Sequence, residues 1–367
     1  MLIYPRHDVK LKPIQSITSL TGGYGGFLGA DSGGPEDFIS SPSGDYSTSV
    51  TDGVTFYYGN HALDLGTSSA PSFSFVTDQP FYIGMIGASG STSNNNAKPG
   101  LGGYGVALVT PGSSATFRVW SGVGGYYSST NNTSYVRSGY QGGAGGHGNQ
   151  VGYSPIYRIQ CGGGGYGALC SGTGTPTTSN ILAMVGSGGG SGAGGGPTPA
   201  GMGGGFNMNG TVKADNPVGA SGNGGTTSSG GPGGSWVAPY AFAGNDGASL
   251  QGGNGGLSYY DGGSGGGAGW YGGGGGSGGG GYSGGSGGGG SGRTNNYDGH
   301  TISVGGAYTQ TGIGTETGNS DLQGLIRTAS NTTFSIPNGS SGYGMSNTLN
   351  GYPGHSGWAV VWSYHAF

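Results

Sequence analysis

One run of the chain, from Gly262 to Gly292, restricts the possible folds more than any other feature. It reads GGSGGGAGWYGGGGGSGGGGYSGGSGGGGSG, with glycine at every third position. These in-register glycines are Gly263, Gly266, Gly269, Gly272, Gly275, Gly278, Gly281, Gly284, Gly287 and Gly290. A polyproline II type helix needs such a register if one of its three edges is to press against a neighbouring backbone. The run therefore predicts main chain packed against main chain.

Composition favours an ordered glycine-rich region. The chain has 98 glycines in 367 residues, 7% charged residues and a net charge of -4. Disordered segments usually combine low hydrophobicity with high net charge, and the high charge is missing here. Ordering costs roughly 0.5 to 1 kcal/mol more per glycine than per alanine. Lateral hydrogen bonds between extended backbones can offset that cost, so we expect a bundle of polyglycine II helices.

Other glycine-rich classes fit less well. Collagen needs abundant proline between its glycines, and the run from Gly262 to Gly292 has none. RNA-associated glycine-rich tails repeat Arg-Gly-Gly, whereas the only nearby arginine is Arg293 and the chain is slightly acidic, so no nucleic acid partner is expected. A flexible Gly/Ser linker is the remaining alternative from composition.

The rest of the chain reads as short strands joined by turns. Apolar residues alternate around Phe73, Phe81, Val106 and Phe117, and further strands are predicted at Ile156–Ile159, Ile181–Val185, Trp236–Phe242, Thr301–Val304, Thr333–Ile336 and Trp358–Tyr364. No stretch has helical periodicity free of glycine and proline. The sequence predicts an all-β protein, an antiparallel β-sandwich with an inserted polyglycine II bundle and almost no α-helix.

Four regions follow from this pattern: an N-terminal arm with polar loops (1–70), sandwich strands (71–138), the glycine-rich region (139–300) and C-terminal strands that complete the sandwich (301–367). Residues 1–20 contain no continuous apolar stretch of a secretory signal. They carry Arg6, Lys10 and Lys12 among Val9 and Leu11, which suits either a first strand or an arm that docks on a partner subunit.

The layout of strands and glycine runs resembles a known group. The residues that carry the resemblance are Phe81 to Ala88, the turn Thr110 to Ser113, ILAMVGSGGGSGAGG from Ile181 and WYGGGGGSGGGGYSGG from Trp270. They are similar to the glycine-rich domain of the anaplastic lymphoma kinase and leukocyte tyrosine kinase ectodomains, and to the tail-fibre adhesins of T-even-type phages. The resemblance spans roughly Ser72 to the C-terminus. It implies a jelly-roll or tumour-necrosis-factor-like β-sandwich interrupted by packed polyglycine helices, with variable loops at the far end in the adhesins.

The sequence shows no catalytic or cofactor chemistry. Its six histidines are scattered, without metal-ligand spacing, and no serine elbow joins a strand to a helix. A dinucleotide fingerprint can be forced from Gly188, Gly190 and Ala193, but no helix follows to present its N-terminus to a phosphate. We therefore expect no enzyme, no cofactor and no metal. No apolar stretch of about 20 residues is present, so a membrane span and a receptor kinase are not expected.

Two sets of side chains remain as candidates. Cys161 and Cys170 bracket a short loop, and they either form a disulfide or remain free thiols. Large aromatic side chains stand almost alone in the glycine runs, and they either cover the bundle as lids or form a recognition surface. These candidate recognition residues are Tyr259, Tyr260, Trp270, Tyr271 and Tyr282.

These features favour a structural protein that works outside cells. A nearly uncharged, rigid shell without a secretory signal is typical of a virion protein, which is made in the host cytoplasm. We expect a virion surface protein, a spike, capsid decoration or fibre-tip subunit that attaches to a host receptor, belongs to an oligomer or larger assembly and docks on other virion subunits through its N-terminal arm. The alternative is a secreted or cell-surface protein that is adhesive or forms filaments.

Overall fold

A computed structural model describes most of the chain outside the N-terminal arm and residues 311–353. The described residues are 38–51, 54–59, 70–92, 98–128, 141–143, 160–192, 199–212, 219–235, 241–258, 261–279, 284–310, 354 and 356–364. They contain β-strands and no α-helix. The strands are β1 (Ser40–Gly44), β2 (Tyr46–Thr51), β3 (Val54–Gly59), β4 (Ser72–Thr77), β5 (Phe81–Ile86), β6 (Tyr104–Thr110), β7 (Ala115–Trp120), β8 (Tyr127–Ser128), β9 (Gln160–Cys161), β10 (Gly167–Ser171), β11 (Ile181–Val185), β12 (Arg293–Thr294), β13 (Thr301–Gln310) and β14 (Trp358–Ser363).

Twelve of these strands form two antiparallel sheets. Sheet A has the order β1-β4-β7-β10-β11-β12, and sheet B has the order β13-β6-β5-β14-β3-β2. Strands β8 and β9 form a separate two-stranded pair. The predicted all-β class is therefore confirmed for the described residues.

The two sheets share one apolar cluster. Phe75 and Phe117 are cross-strand partners in sheet A and their rings stack at 5.6 Å. Phe81 of sheet B meets both rings edge-on, at 5.3 Å from Phe75 and 5.2 Å from Phe117. All three side chains are fully buried. Period-2 alternation thus places the aromatic face of each sheet against the other, as the pattern around Phe73 and Phe81 predicted.

The division of the chain into four regions needs one correction. Residues 1–70 are predicted to form an arm and polar loops, yet strands β1, β2 and β3 lie within this region. Strand β1 joins sheet A and strands β2 and β3 join sheet B, so residues 40–51 and 54–59 belong to the sheets. The reason is visible in β1, which reads SSPSG and lies at a sheet edge with mostly exposed side chains, where no apolar alternation is needed.

Glycine-rich segments continue the strands beyond one end of the sheets. Residues 87–91 follow β5, 100–103 precede β6, 121–126 follow β7, 186–192 follow β11 and 284–292 precede β12. Packed sheets normally lie about 10 Å apart. Here the main chains converge until they bond across the layers, with Gly103 N donating to Gly186 O at 2.8 Å and Gly357 N to Gly122 O at 2.9 Å.

We call these extended segments glycine rods and their assembly the glycine lattice. The rods are residues 87–91, 100–103, 121–125, 162–165, 186–191, 201–205, 220–225, 230–234, 242–248, 251–257, 261–268, 272–279 and 285–292. The near end of the lattice adjoins the strands, because rod 285–292 runs directly into β12. The far end is the opposite one.

Candidate functional site

Successive N–H groups of the central rod, residues 272–279, donate hydrogen bonds to three neighbouring rods in turn. Every third N–H donates to the same neighbouring rod, at 2.8 to 3.0 Å. Gly272, Gly275 and Gly278 donate to the carbonyls of Ala248, Asn245 and Phe242; Gly273, Gly276 and Gly279 to those of Gly267, Ser264 and Asp261; Gly274 and Ser277 to those of Asn223 and Ala220. The hydrogen-bond pattern therefore repeats every three residues along the rod.

The carbonyls of the central rod follow the same rotation toward three other rods. Gly231 and Gly234 donate to the carbonyls of Gly272 and Gly275, Gly253 and Gly256 to those of Gly273 and Gly276, and Gly288 and Gly285 to those of Gly274 and Ser277. The central rod is thus enclosed by six rods, residues 220–223, 231–234, 242–248, 253–256, 261–267 and 285–288. Every amide of residues 272–279 is satisfied without a sheet or a helix.

Rod 285–292 repeats this arrangement. Its amides at Gly285, Gly288 and Ser291 donate to the central rod and its near end, at the carbonyls of Ser277, Gly274 and Tyr271. In the same rotation, the amides of Gly287 and Gly290 donate to the carbonyls of Gly190 and Ser187, and the amides of Gly289 and Gly292 donate to those of Thr211 and Met208. Two adjacent rods therefore have the same surroundings, which defines a lattice.

The in-register glycines lie directly against neighbouring main chain. A Cβ atom at any of the nine described positions would come closer than 3.0 Å to a carbonyl oxygen of another rod, a distance that real Cβ atoms essentially never show. The tenth position, Gly281, lies outside the described residues. Gly273, Gly274 and Gly276, which are out of this register, are equally enclosed. Close packing on one edge was predicted, and the structure places neighbours on all three.

Serine is the largest side chain that the central rod and rod 285–292 bury. Ser277, Ser286 and Ser291 have no exposed surface. Ser277 Oγ accepts a hydrogen bond from Ala220 N at 2.9 Å, and Ser291 Oγ accepts one from Tyr271 N at 3.0 Å. Where serine takes the place of glycine in these two rods, its hydroxyl oxygen thus accepts a main-chain N–H that would otherwise need a carbonyl partner.

Trp270, one of the candidate recognition residues, is buried and does not contribute to an exposed surface. Trp270 is only 7% exposed and lies in an apolar cluster with Trp120, Cys170 and Met184 on the outer face of sheet A. The guanidinium of Arg293 lies 4.6 Å from the centre of its ring. Tyr271 is half-buried against the same cluster. The physical reason is position, because the turn at 268–272 is at the near end, where it covers the sheet. Tyr259, Tyr260 and Tyr282 lie outside the described residues.

The two cysteines are free thiols, so the disulfide alternative is wrong for this structure. Cys170 packs in the cluster beneath Trp270. Cys161 lies elsewhere, with Sγ 3.9 Å from Ser191 Oγ. Burial raises the pKa of each thiol to about 12, which keeps both protonated and unreactive at neutral pH.

An exposed aromatic residue, Phe242, lies toward the far end of the lattice. Its main chain is fixed by two bonds, from Phe242 N to Leu257 O and from Gly278 N to Phe242 O, both 2.9 Å. Its side chain is 56% exposed. The sequence places Phe242 at the end of a predicted strand, Trp236–Phe242, and outside the set of candidate recognition residues. The available signal was that rod 242–248 has glycine only at every third position, Gly244 and Gly247.

The far end also contains a buried carboxyl group. Asp261 is 6% exposed, and its carbonyl accepts a hydrogen bond from Gly279 N at 2.9 Å. Burial raises the pKa of its side chain to about 7. The carboxyl group therefore changes its charge near neutral pH.

Four rods end at the far end. They are rods 87–91, 186–191, 251–257 and 272–279, and the structure describes each of them up to residues 92, 192, 258 and 279. Among the described residues, no group of three or more His, Cys, Asp or Glu side chains is arranged to hold a metal ion. The described part of the chain likewise has no helix whose length and apolarity would allow it to span a membrane.

No protein-family model and no curated protein matches the sequence.

Proposed function

We propose that the glycine lattice is a bundle of polyglycine II helices inserted into a jelly-roll or tumour-necrosis-factor-like β-sandwich. The observation that carries this proposal is the rotation of hydrogen bonds around residues 272–279, with six neighbours and a three-residue repeat. A polyproline II type helix has three residues per turn and no internal hydrogen bonds, so its amides and carbonyls point outward in three directions. The shared core around Phe75 and Phe81 supports the sandwich.

We further propose that the protein is a structural virion surface protein, a spike, capsid decoration or fibre-tip subunit, that attaches to a host receptor through the far end of the lattice. The near end is joined to the two sheets and covered by Trp270 and Trp120. The far end is where four rods end and where Phe242 is exposed. A stiff support lowers the entropy cost of binding for the residues that it presents.

The interior chemistry of the lattice suits this role. Its stability comes from main-chain hydrogen bonds and from the contact of glycine backbones, so residues at its ends are free of packing constraints. Few charges are present in the whole chain, at 7% of residues. Such a surface recognises a receptor by shape and by hydrogen bonds more than by charge.

The test has two parts. Mass spectrometry of purified particles that lack host membrane should detect the protein, and detection only in extracellular matrix or filaments would instead support the secreted adhesive alternative. Soluble protein should also reduce the adsorption of those particles to host cells. Phe242→Ser should weaken this competition, whereas the control Val50→Ser, at an exposed position of β2, should not. Equal competition by both variants would argue against the far end as the binding surface.

A further inference from the structure

The end of the sheets opposite the lattice, here called the base, presents a continuous row of turns. The turn 295–300 lies beside the turn 111–114, since Gly112 packs against the main chain of Gly299 and Gly112 N donates to His300 Nδ1 at 3.4 Å. The turn 78–80 comes next, because Thr77 and Ala115 are cross-strand partners. Tyr364 completes the row, with its N–H donating to Pro80 O at 3.2 Å.

This row, the basal strip, carries an exposed tyrosine at each end and two exposed carboxylates, Asp78 and Asp298. Tyr297 is 47% exposed and Tyr364 is 43% exposed. Each carboxylate accepts a hydrogen bond from a neutral group: Gln79 Nε2 donates to Asp78 Oδ1 at 3.1 Å, and Ser171 Oγ donates to Asp298 Oδ2 at 3.4 Å. Tyrosine is a frequent anchor of protein interfaces because its ring is large, rigid and amphipathic.

The strip is held rigidly before any partner arrives. His300 N donates to Tyr297 O at 3.0 Å and Ile302 N donates to Asn296 Oδ1 at 2.9 Å, which closes the turn on both sides of Tyr297. At the other end, the Tyr364 ring contacts Tyr82 at 5.7 Å. Binding to this surface therefore costs little ordering entropy on the strip.

We propose that the basal strip binds residues 6–12 of the N-terminal arm of a second copy of this chain. The arm carries Arg6, Lys10 and Lys12, three of the ten basic residues, with Val9 and Leu11 between them. Its positive charge complements Asp78 and Asp298, and its aliphatic side chains offer contact for the two tyrosines. Strands β13 and β14 are separated by two strands in sheet B, which makes the strip about 14 Å long, so four to five of residues 6–12 can lie along it in extended conformation.

The point where the arm joins the fold favours a second copy as the partner. Tyr297 and Tyr364 are 47% and 43% exposed, so both rings are accessible to another molecule. The arm enters the fold at the base, where Ser40 of β1 pairs with Val76, two residues before Asp78. Two copies placed base to base can therefore exchange arms reciprocally, as in an isologous dimer. This inference does not depend on the receptor-attachment role.

Cross-linking of the full chain tests the contact directly. Isotopically labelled and unlabelled protein are mixed and treated with a zero-length carbodiimide, which joins lysine amines to carboxylates. We expect mass spectrometry to find mixed-isotope links from Lys10 or Lys12 to Asp78 or Asp298. Links within one isotope only would place the arm on its own base and overturn the proposal, as would the absence of any such link.

Sedimentation of full-length variants provides an independent test. Wild-type protein should self-associate, and the association constant should fall roughly tenfold in Asp78→Asn/Asp298→Asn and in Lys10→Glu/Lys12→Glu, because two exposed ion pairs are lost. Tyr297→Ser should weaken association as well. The matched control Asp45→Asn removes an exposed carboxylate at the opposite end of the strands and should leave association unchanged. A monomeric wild type, or equal effects of the basal and control variants, would overturn the proposal.

Discussion

Gly275 lies against Asn254 so closely that a Cβ atom on the glycine would come within 3.0 Å of the Asn254 carbonyl oxygen. Gly275 also donates its N–H to Asn245 O at 2.9 Å and accepts at its carbonyl from Gly234 N at 2.8 Å. One residue without a side chain thus contacts three rods. The backbone at Gly275 has no positive φ, so conformational freedom does not explain this glycine. Glycine is required because the neighbouring backbone occupies the space that a side chain needs.

Replacing Gly275 with alanine should therefore destabilise the protein. The methyl group forces apart rods that are held on several sides, and we expect a loss of about 2 to 4 kcal/mol in the free energy of unfolding, above the average for point mutations. Urea unfolding monitored by tryptophan fluorescence measures it. The control is Gly174→Ala, in the turn between β10 and β11, where the nearest atom to an added Cβ is Asn180 Nδ2 at 3.6 Å. Equal stability of the two variants would contradict close packing at Gly275.

Trp270 and Phe242 should behave in opposite ways when each is replaced by alanine. Trp270 is buried under Arg293 and against sheet A, so its truncation should cost about 3 to 5 kcal/mol of unfolding free energy. Phe242 is exposed, so its truncation should change stability by less than about 0.5 kcal/mol. Thermal denaturation of both variants distinguishes these outcomes. A stable Trp270→Ala protein would restore Trp270 as a candidate for recognition.

Stability should depend on pH through Asp261. Its pKa in the folded state, about 7, exceeds the ordinary value of about 3.9, so the folded state binds a proton that the unfolded state has released between these two values. Stability from this group is therefore full below pH about 4 and falls as the pH rises to about 7. Asp261→Asn should remove this dependence. Burial lowers the pKa of His300, so its contribution to stability falls as the pH drops below the ordinary histidine pKa. This contribution is the same in wild type and in Asp261→Asn, so it cancels in their comparison.

The difference between wild type and Asp261→Asn in urea midpoint, measured from pH 4 to pH 8, isolates the carboxyl group. We expect the midpoint of the variant to rise relative to wild type as the pH increases. Parallel profiles would mean that the Asp261 carboxyl group is solvated in the folded protein.

The two thiols should be inert in the folded protein. Both are buried and unpaired with each other, and burial keeps both protonated. Ellman's reagent should therefore react slowly under native conditions and should titrate two thiols per chain in denaturant. A native mass two hydrogens below that of the reduced chain would instead identify a disulfide.

The spacing of glycine along the sequence was the most informative feature for predicting the rods and their burial. Residues 272–279 contain only glycine and serine, and this rod has six neighbours. Rod 242–248 has glycine only at Gly244 and Gly247, which face the central rod, while Asn245 and Asp246 are exposed. A rod with glycine or serine at every position is thus enclosed on all sides, whereas a rod with glycine only at every third position has exposed side chains on its other edges. The spacing of glycine in the sequence therefore predicts how deeply each rod is buried.

Other features could not be read in advance. Strands β1 and β2 are rich in serine and threonine and lie at sheet edges, so their sequences lack the apolar alternation that identifies an inner strand. The burial of Trp270 depends on which end of the lattice its turn occupies. That choice is set by the connections among rods, which no local pattern contains. The basal strip likewise joins turns that are far apart in the chain.

Hydrogen–deuterium exchange of the backbone amides tests the lattice most directly. If residues 272–279 and 285–292 donate their amides to neighbouring rods, peptides from this region should exchange as slowly as those of β5 and β7, even though they consist almost entirely of glycine and serine. Exchange of these peptides within seconds, at the rate of an unstructured Gly/Ser chain, would contradict the account.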